Sequence, residues 1–424
     1  MNTSAAGVLR GTPFHERTGP LCQAANWRRW AGHFAAGSYE PTHEREYHAI
    51  RSAAALIDVS PLYKYRLAGR GAQALANRVV TRDVSRQAAG QVYYTPWCDA
   101  AGKVRDDGTL QRLGETDFRL TSAEPTLKWL HENARGLDVD IADETERVGA
   151  LALQGPLSRE VLQGITDADV GGLRYFRVMT ARIGGVRTEI SRTGYTGDLG
   201  YEIWVDAADA IPLWDALAEA GEPFGLAPAG MLALDMARLE AGLVLVDVDY
   251  VPAHRAIIED QKSSPYELGL GWAVAPDASN FVGRAALRAE RARPPAWHFR
   301  GITLDWDSLE DAYAEVRLPP QLPGMTLRDS VPLYSGGRQV GYASSRGWSP
   351  TLKTYLGLAH LRADSAAVGT ELEIEVTVEH QRRRARATVA KTPFFDPPRK
   401  RATPGAAPRS APGAAPHTTP RATA

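Results

Sequence analysis

The chain has 424 residues, with 49 basic and 50 acidic side chains and a formal net charge of −1. That length supports a large core divided into more than one domain, and the balanced charge predicts neither nucleic acid nor an anionic membrane as a partner. Cys22 and Cys98 are the only cysteines, too few for a disulfide scaffold and without metal-ligand spacing, so no metal is expected and a reducing cytoplasm is the expected compartment. No long apolar core follows a basic start, which argues against secretion, and no apolar run is long enough to span a membrane.

Residues 1–39 read as an irregular lead-in, with turns at Gly11-Thr12-Pro13 and Gly19-Pro20. Helical spacing over 47–57 precedes the alternation of Tyr63, Tyr65 and Leu67, which predicts a strand. A helix over 69–80, a strand over 91–96, its hairpin mate over 109–113 and a helix over 125–133 follow. A second segment opens near Val148 with a strand through Leu151 and Leu153, a helix over 157–163, and strands over 174–180 and 186–192. Helices are expected over 211–220 and 228–241, with Pro228 in the first turn of the second and Gly242 ending it. Gly269–Val274 reads as a buried strand, which makes Trp272 a core aromatic on pattern alone. A charged, proline-marked stretch over 288–296 reads as a domain boundary. Short strands between 299 and 396 predict a small barrel or sandwich. From Pro397 onward Pro, Ala, Arg and Thr dominate without an apolar period, and a disordered tail is expected. The mixture of short helices and strands indicates an α+β or α/β architecture.

Three places carry chemistry. Ser191–Ile203 sets Gly194, Gly197 and Gly200 among Tyr195, Tyr201 and Glu202 where a strand turns back, and its glycines permit positive φ or close approach of a ligand. Taken alone it is equally a glycine-rich hairpin with a surface Glu. Asp106-Asp107 is the clearest acidic pair. On a strand the two carboxylates point to opposite faces, so one can face a pocket while the other caps the turn; alone, the pair also fits an ordinary surface turn. Arg238 shares a helical face with Met231 and Leu234 and requires an anionic partner there, whether an internal acid or a ligand.

In order along the chain, Asp58-Val59-Ser60, the acidic pair, the glycine-rich motif, Arg238-Leu239-Glu240-Ala241-Gly242, Phe281–Leu287 and Gly341–Leu358 resemble the aminomethyltransferase (glycine cleavage T-protein) family over residues 43–395. The resemblance implies two intertwined α/β folate-binding modules over 40–290 around a central cavity and a C-terminal β-barrel over 297–396. The lead-in over 1–39 and the tail over 397–424 flank them. It also implies tetrahydrofolate as cofactor, held by Tyr195, Glu202, Arg238 and Trp272, and an essential acid in the Asp pair, with Asp106 preferred and Asp107 its rival. Arg382–Arg386 then reads as a solvated strand edge or an attraction for folate glutamates, because no aromatic residues interleave it.

The family's glycine-cleavage members normally continue Asp-Val-Ser with His-Met, whereas this chain has Pro61-Leu62. Together with Tyr94–Asp99 and the lead-in, that departure is similar to the dimethylsulfoniopropionate demethylase-like branch. The expected reaction is therefore methyl transfer from a small sulfonium, methylamine or methoxy donor to tetrahydrofolate. Tyr93, Trp97 and Arg105 are the donor-side candidates; ring faces stabilise a cationic donor. The alternatives are aminomethyl transfer from a lipoyl carrier protein and folate binding without transfer.

Overall fold

The computed structural model describes residues 9–403. Residues 1–8 of the lead-in and 404–424 of the expected tail lie outside the described residues. The chain builds two sheets and a barrel, joined by helices.

The first sheet runs in the order Gln91–Cys98, Val104–Gly114, Asp117–Ser122, Tyr63–Ala68, Asp140–Asp143, all antiparallel. Helices Ala72–Val79 and Leu127–Asn133 cover one of its faces. They enclose Tyr65, Leu67, Leu75, Trp97, Leu110, Phe118 and Leu130. Alternation puts the apolar side chains of these strands on one face, while polar residues such as Lys64, Arg119 and Thr121 are buried on the other.

The second sheet runs Val178–Ile183, Val186–Ser191, Gly200–Asp206, Val148–Gln154, Ala54–Asp58, Leu226–Pro228. Its Ala54–Asp58 strand precedes the whole first sheet in the chain, so the two sheets are interleaved. Pro228 therefore ends an edge strand parallel to Ala54–Asp58 instead of opening the helix, which starts at Met231; an edge strand tolerates a residue without an N–H.

The six strands Trp297–Leu304, Thr354–Arg362, Arg338–Ser349, Val331–Ser335, Glu371–Val378 and Gln381–Ala390 close into a barrel. Arg382, Arg384 and Arg386 on its last strand pair with Glu375, Glu373 and Asp305, so their charge is spent on neighbouring elements. Between sheets and barrel lies a common core, to which Tyr47, Met236, Tyr250, Phe299, Leu356 and Leu358 belong.

Two segments differ from expectation at the ends. Within residues 9–39 a helix, His15–Leu21, and a hairpin of Trp27–Trp30 with His33–Ala36 replace the irregular lead-in. Phe14 is fully buried beside Trp214, with ring centroids 6.2 Å apart. These aromatics lack a local period because their partners are distant in sequence. Residues 397–403 are not disordered either: Pro398–Lys400 form a 3-10 turn fixed by arginine contacts rather than by apolar packing.

Candidate active site

Antiparallel register decides which carboxylate of the Asp pair faces which neighbours. Pro96 opposes Asp107 and Trp97 opposes Asp106, and directly opposed residues project from the same face. Tyr94, Pro96, Asp107 and Thr109 therefore share one face, while Tyr93, Trp97, Asp106 and Leu110 share the other.

On the second face Asp106 is buried at 1% exposure. Its Oδ1 accepts the Asp107 N–H at 2.9 Å and its Oδ2 the Glu124 N–H at 2.9 Å. It ties down the loop after Asp117–Ser122. Asp107 instead receives hydroxyl donors: Tyr94 to Oδ2 at 2.8 Å, and Tyr250 to Oδ1. The Tyr250 hydroxyl also lies 3.4 Å from Asp106 Oδ1. Thus the carboxyl presented to the tyrosines is Asp107, not the preferred Asp106. Burial, then the Asp107 charge, pushes the Asp106 carboxyl well up; burial pushes Asp107 up too, with the Tyr250 and Tyr94 hydrogen bonds pulling against it.

The glycine-rich loop approaches the pair at Tyr195, on which the Asp107 charge acts. It joins strands paired at Ser191 and Glu202, and Gly197 takes φ +76°, where a Cβ would also meet Ala241. An added Cβ on Gly194 or Gly200 would collide with the Gln154 side chain. The Tyr195 hydroxyl donates to the Val244 carbonyl and is pushed far up by burial, the Arg238 charge opposing and the Asp107 charge adding to the rise. Glu202 accepts the Thr193 hydroxyl on Oε2 at 2.5 Å, and burial raises it. Its Oε1 receives no hydrogen bond from the described residues.

Of the other candidates, Trp272 reaches this cluster from outside and the rest are engaged elsewhere. Arg238 is fully buried and its fork is engaged internally: Nε to Asp235 at 2.7 Å, Nη1 to Asp249 at 2.7 Å, Nη2 to the Ser345 hydroxyl at 2.9 Å. Two of these partners are carboxylates, the anions that its apolar helix face required. Trp272 sits in a 3-10 turn, Gly271–Ala273, and is 63% exposed, so the buried strand is corrected; Gly269–Val274 finds no pairing partner. Its ring stacks on Tyr94, centroids 5.9 Å apart at 24°, and so covers the cluster from outside. Tyr93 and Trp97 lie in the core of the first sheet, and the Arg82 guanidinium already stands 4.0 Å over the Tyr93 ring. Arg105 lies 4.1 Å over Trp129, at the edge of that same core. These three form no common donor pocket.

Of the two tyrosines on Asp107, Tyr94 was legible, since alternation places it on the face opposite Tyr93. Tyr250 gives no local signal, because it arrives on a loop distant in sequence.

Residues 14–278 match the GCVT N-terminal domain, and residues 316–396 match the glycine cleavage T-protein C-terminal barrel domain. By class the protein is a tetrahydrofolate-dependent one-carbon transferase. It is 34% identical over 358 residues to the aminomethyltransferase of Geobacillus thermodenitrificans, covering 83% of this chain and 90% of that one. The aminomethyltransferase of Bacillus subtilis is 31% identical over the same coverage of each chain. In fold it is similar to the glycine cleavage system aminomethyltransferase T of Bartonella henselae, at a TM-score of 0.77 and 22% identity over 92% of this chain and 98% of that one. The chain belongs to the glycine cleavage T-protein (aminomethyltransferase) family. These relatives carry the aminomethyltransferase name, and the comparisons do not place the chain in the demethylase-like branch.

The residues present fit tetrahydrofolate. Glu202 has a carboxylate oxygen that accepts no hydrogen bond from the described residues, as the N–H donors of a pterin edge require, and Asp107 has a carboxyl whose proton affinity burial raises against two phenol hydrogen bonds.

Proposed function

We propose that the protein transfers a one-carbon unit, delivered as an aminomethyl group on a lipoyl sulfur, to tetrahydrofolate: the C–S and C–N bonds to the donor break, two C–N bonds to the folate form, and ammonia and the carrier's free dithiol leave. The observation that carries this reading is the Asp107 carboxyl gripped by the Tyr94 and Tyr250 hydroxyls, close enough to Tyr195 for its charge to act there. When bound, tetrahydrofolate supplies N5, the nucleophilic nitrogen that accepts the carbon.

The chain's own residues do the rest. Glu202, on the strand that leaves the loop, and Tyr195, in the middle of the loop, hold the pterin. Asp107 takes up or returns a proton at its carboxyl as charge develops on the reacting nitrogens. Tyr94 and Tyr250 fix the orientation of that carboxyl, and the burial of Tyr250, with Trp272 stacked on the partly buried Tyr94, limits water there. The partner this reading implies is a lipoyl carrier protein bearing the aminomethyl group. A small methylated donor has less support, because the rings expected to receive it, Tyr93 and Trp97, are turned into the core.

The test is a tetrahydrofolate-dependent assay of the purified protein with mass detection of the folate product. Its donors are aminomethyl-loaded lipoyl carrier protein, dimethylsulfoniopropionate, methylated glycines and methoxybenzoates. Methylenetetrahydrofolate plus ammonia from the carrier is the expected result. Methyltetrahydrofolate from one small donor would overturn it in favour of demethylation.

A further inference from the structure

Past Asp396, the last residue of the barrel match, the chain turns back and grips both shoulders of the glycine-rich loop. At one shoulder stands Arg192, completely buried and, among the described residues, held by neutral acceptors alone. Its Nη2 donates to the carbonyls of Arg399 at 3.1 Å, Lys400 at 3.1 Å and Ala402 at 2.7 Å. Its Nη1 donates to the Leu173 carbonyl at 3.0 Å and the Thr403 hydroxyl at 3.3 Å. At the other shoulder Asp198 accepts Nε and Nη2 of Arg399 at 2.6 and 2.8 Å. Tyr195 lies between the two.

A buried guanidinium must find acceptors, and here four of five come from residues 399–403. A two-point Arg–carboxylate contact fixes direction as well as distance. The loop needs such fixing because its glycines leave the backbone free. Its inner side is held by Gln154, which donates to the Thr193 carbonyl at 3.2 Å and accepts from Thr196 at 2.8 Å. Arg51 adds a bond to the Thr196 carbonyl at 2.9 Å. Residues 399–403 hold the outer side.

We propose that residues 396–403 are a strap that positions the glycine-rich loop for tetrahydrofolate, with Arg399 as its positioning residue. The proposal rests on the folate reading above. Arg399 touches no reacting atom; it acts through Asp198 and, by its carbonyl, through Arg192.

The experiment compares the full chain with Arg399→Ala, Arg399→Lys and a chain ending at Asp396. Amide hydrogen exchange is followed over 193–199 without ligand, and tetrahydrofolate affinity by tryptophan fluorescence. In Arg399→Ala both the exchange rate of the loop and the folate Kd are expected to rise about tenfold, the loss of one partly exposed charged contact. Exchange in the barrel strands and kcat at saturating folate should stay put. Arg399→Lys, which keeps the charge and loses the fork, should fall between the two. Unchanged exchange, unchanged folate affinity, or exchange rising equally in the barrel would each overturn the strap. A full chain that binds no tetrahydrofolate would overturn the folate reading itself, and the exchange comparison alone then decides whether the strap orders the loop.

Discussion

A carboxyl held between two phenol hydroxyls has its proton affinity set by opposed forces. For Asp107, burial favours the acid while Tyr94 and Tyr250 favour the carboxylate. Asp106 lies next to it, so the pair cannot ionise twice without cost, and its protons belong to the pair. The division of labour is nevertheless sharp. Asp107→Asn should lower kcat by about 10²- to 10⁴-fold, the usual worth of a positioned acid or base, with little change in denaturation midpoint. Asp106→Asn puts an amide N–H against one of two buried backbone N–H groups and should cost about 1–3 kcal/mol of stability. Equal losses of kcat in both variants would defeat this assignment. Lys64 offers a pH test in the same region. It is fully buried, with Nζ donating to the Ser60 and Leu62 carbonyls at 2.6 Å each. Burial pushes it down to about 8 from 10.5, with Asp58 pulling against. Between those two values the unfolded chain binds the extra proton, so wild-type stability gains from this group as pH rises. The burden is complete below the lower value and absent above the upper one. Subtracting Lys64→Met from wild type in urea titrations should isolate a gain on the order of 3 kcal/mol across that window, and a flat difference would mean that Lys64 stays charged throughout.

The strand Val104–Gly114 holds Asp107 in place only because its neighbours come close. An added Cβ at Gly108 would run into the Thr121 carbonyl and approach the Trp97 ring at 3.4 Å. Gly108→Ala should therefore part the strand from Asp117–Ser122, cost about 1–3 kcal/mol, and reduce activity beyond the unfolded fraction by tilting Asp107 away from Tyr94. Urea midpoints alongside kcat at saturating folate separate the two effects; a stable, fully active variant would show that the strands have slack here. The opposed faces of Asp106 and Asp107 were readable from alternation alone, a local rule. Which face carried the core was not, because helices Ala72–Val79 and Leu127–Asn133 decide it and pack there from elsewhere in the chain. Trp272 misled for the converse reason: an apolar run between glycines satisfies the strand pattern, yet a strand exists only where a partner supplies hydrogen bonds. Pro228 fits both a helix's first turn and an edge strand, and nothing nearby in sequence chooses between them. Most of the barrel was legible because its strands are short, alternating and separated by turns. Its last strand was obscured by arginines that serve as outward ion-pair partners.

At the scale of the molecule, buried polar networks join the modules to the barrel. Tyr47 and Ser349 both donate to Glu240 Oε1 at 2.5 Å, and Arg51 donates to Glu240 Oε2 at 2.8 Å. Asp249 accepts Arg238 at 2.7 Å and the hydroxyls of Ser344 and Ser345 at 2.6 and 2.7 Å. Asp235 accepts both Arg238 and Arg328 at 2.7 Å. From sequence, Arg238 on an apolar face required an acid; that the acids are Asp235 and Asp249, with Ser345 of the barrel as the third acceptor, depends on how three distant segments meet. Such a network adds less to stability than its short distances suggest, because each charge gives up its hydration. Breaking it is costly all the same, since the remaining partner stays buried and unpaired. Arg238→Met deprives Asp249 of its only cationic contact among the described residues while filling similar volume, and should cost about 3–5 kcal/mol. Arg328 still answers Asp235, so Asp249→Asn in the same chain should recover much of the loss. If Arg238 instead held the folate, the variant would keep its urea midpoint and lose affinity for tetrahydrofolate, and Asp249→Asn would rescue neither. Measuring midpoint and folate Kd on the single and double variants therefore separates a joint of the fold from a wall of the site, and the two buried carboxylates on Arg238 predict the joint.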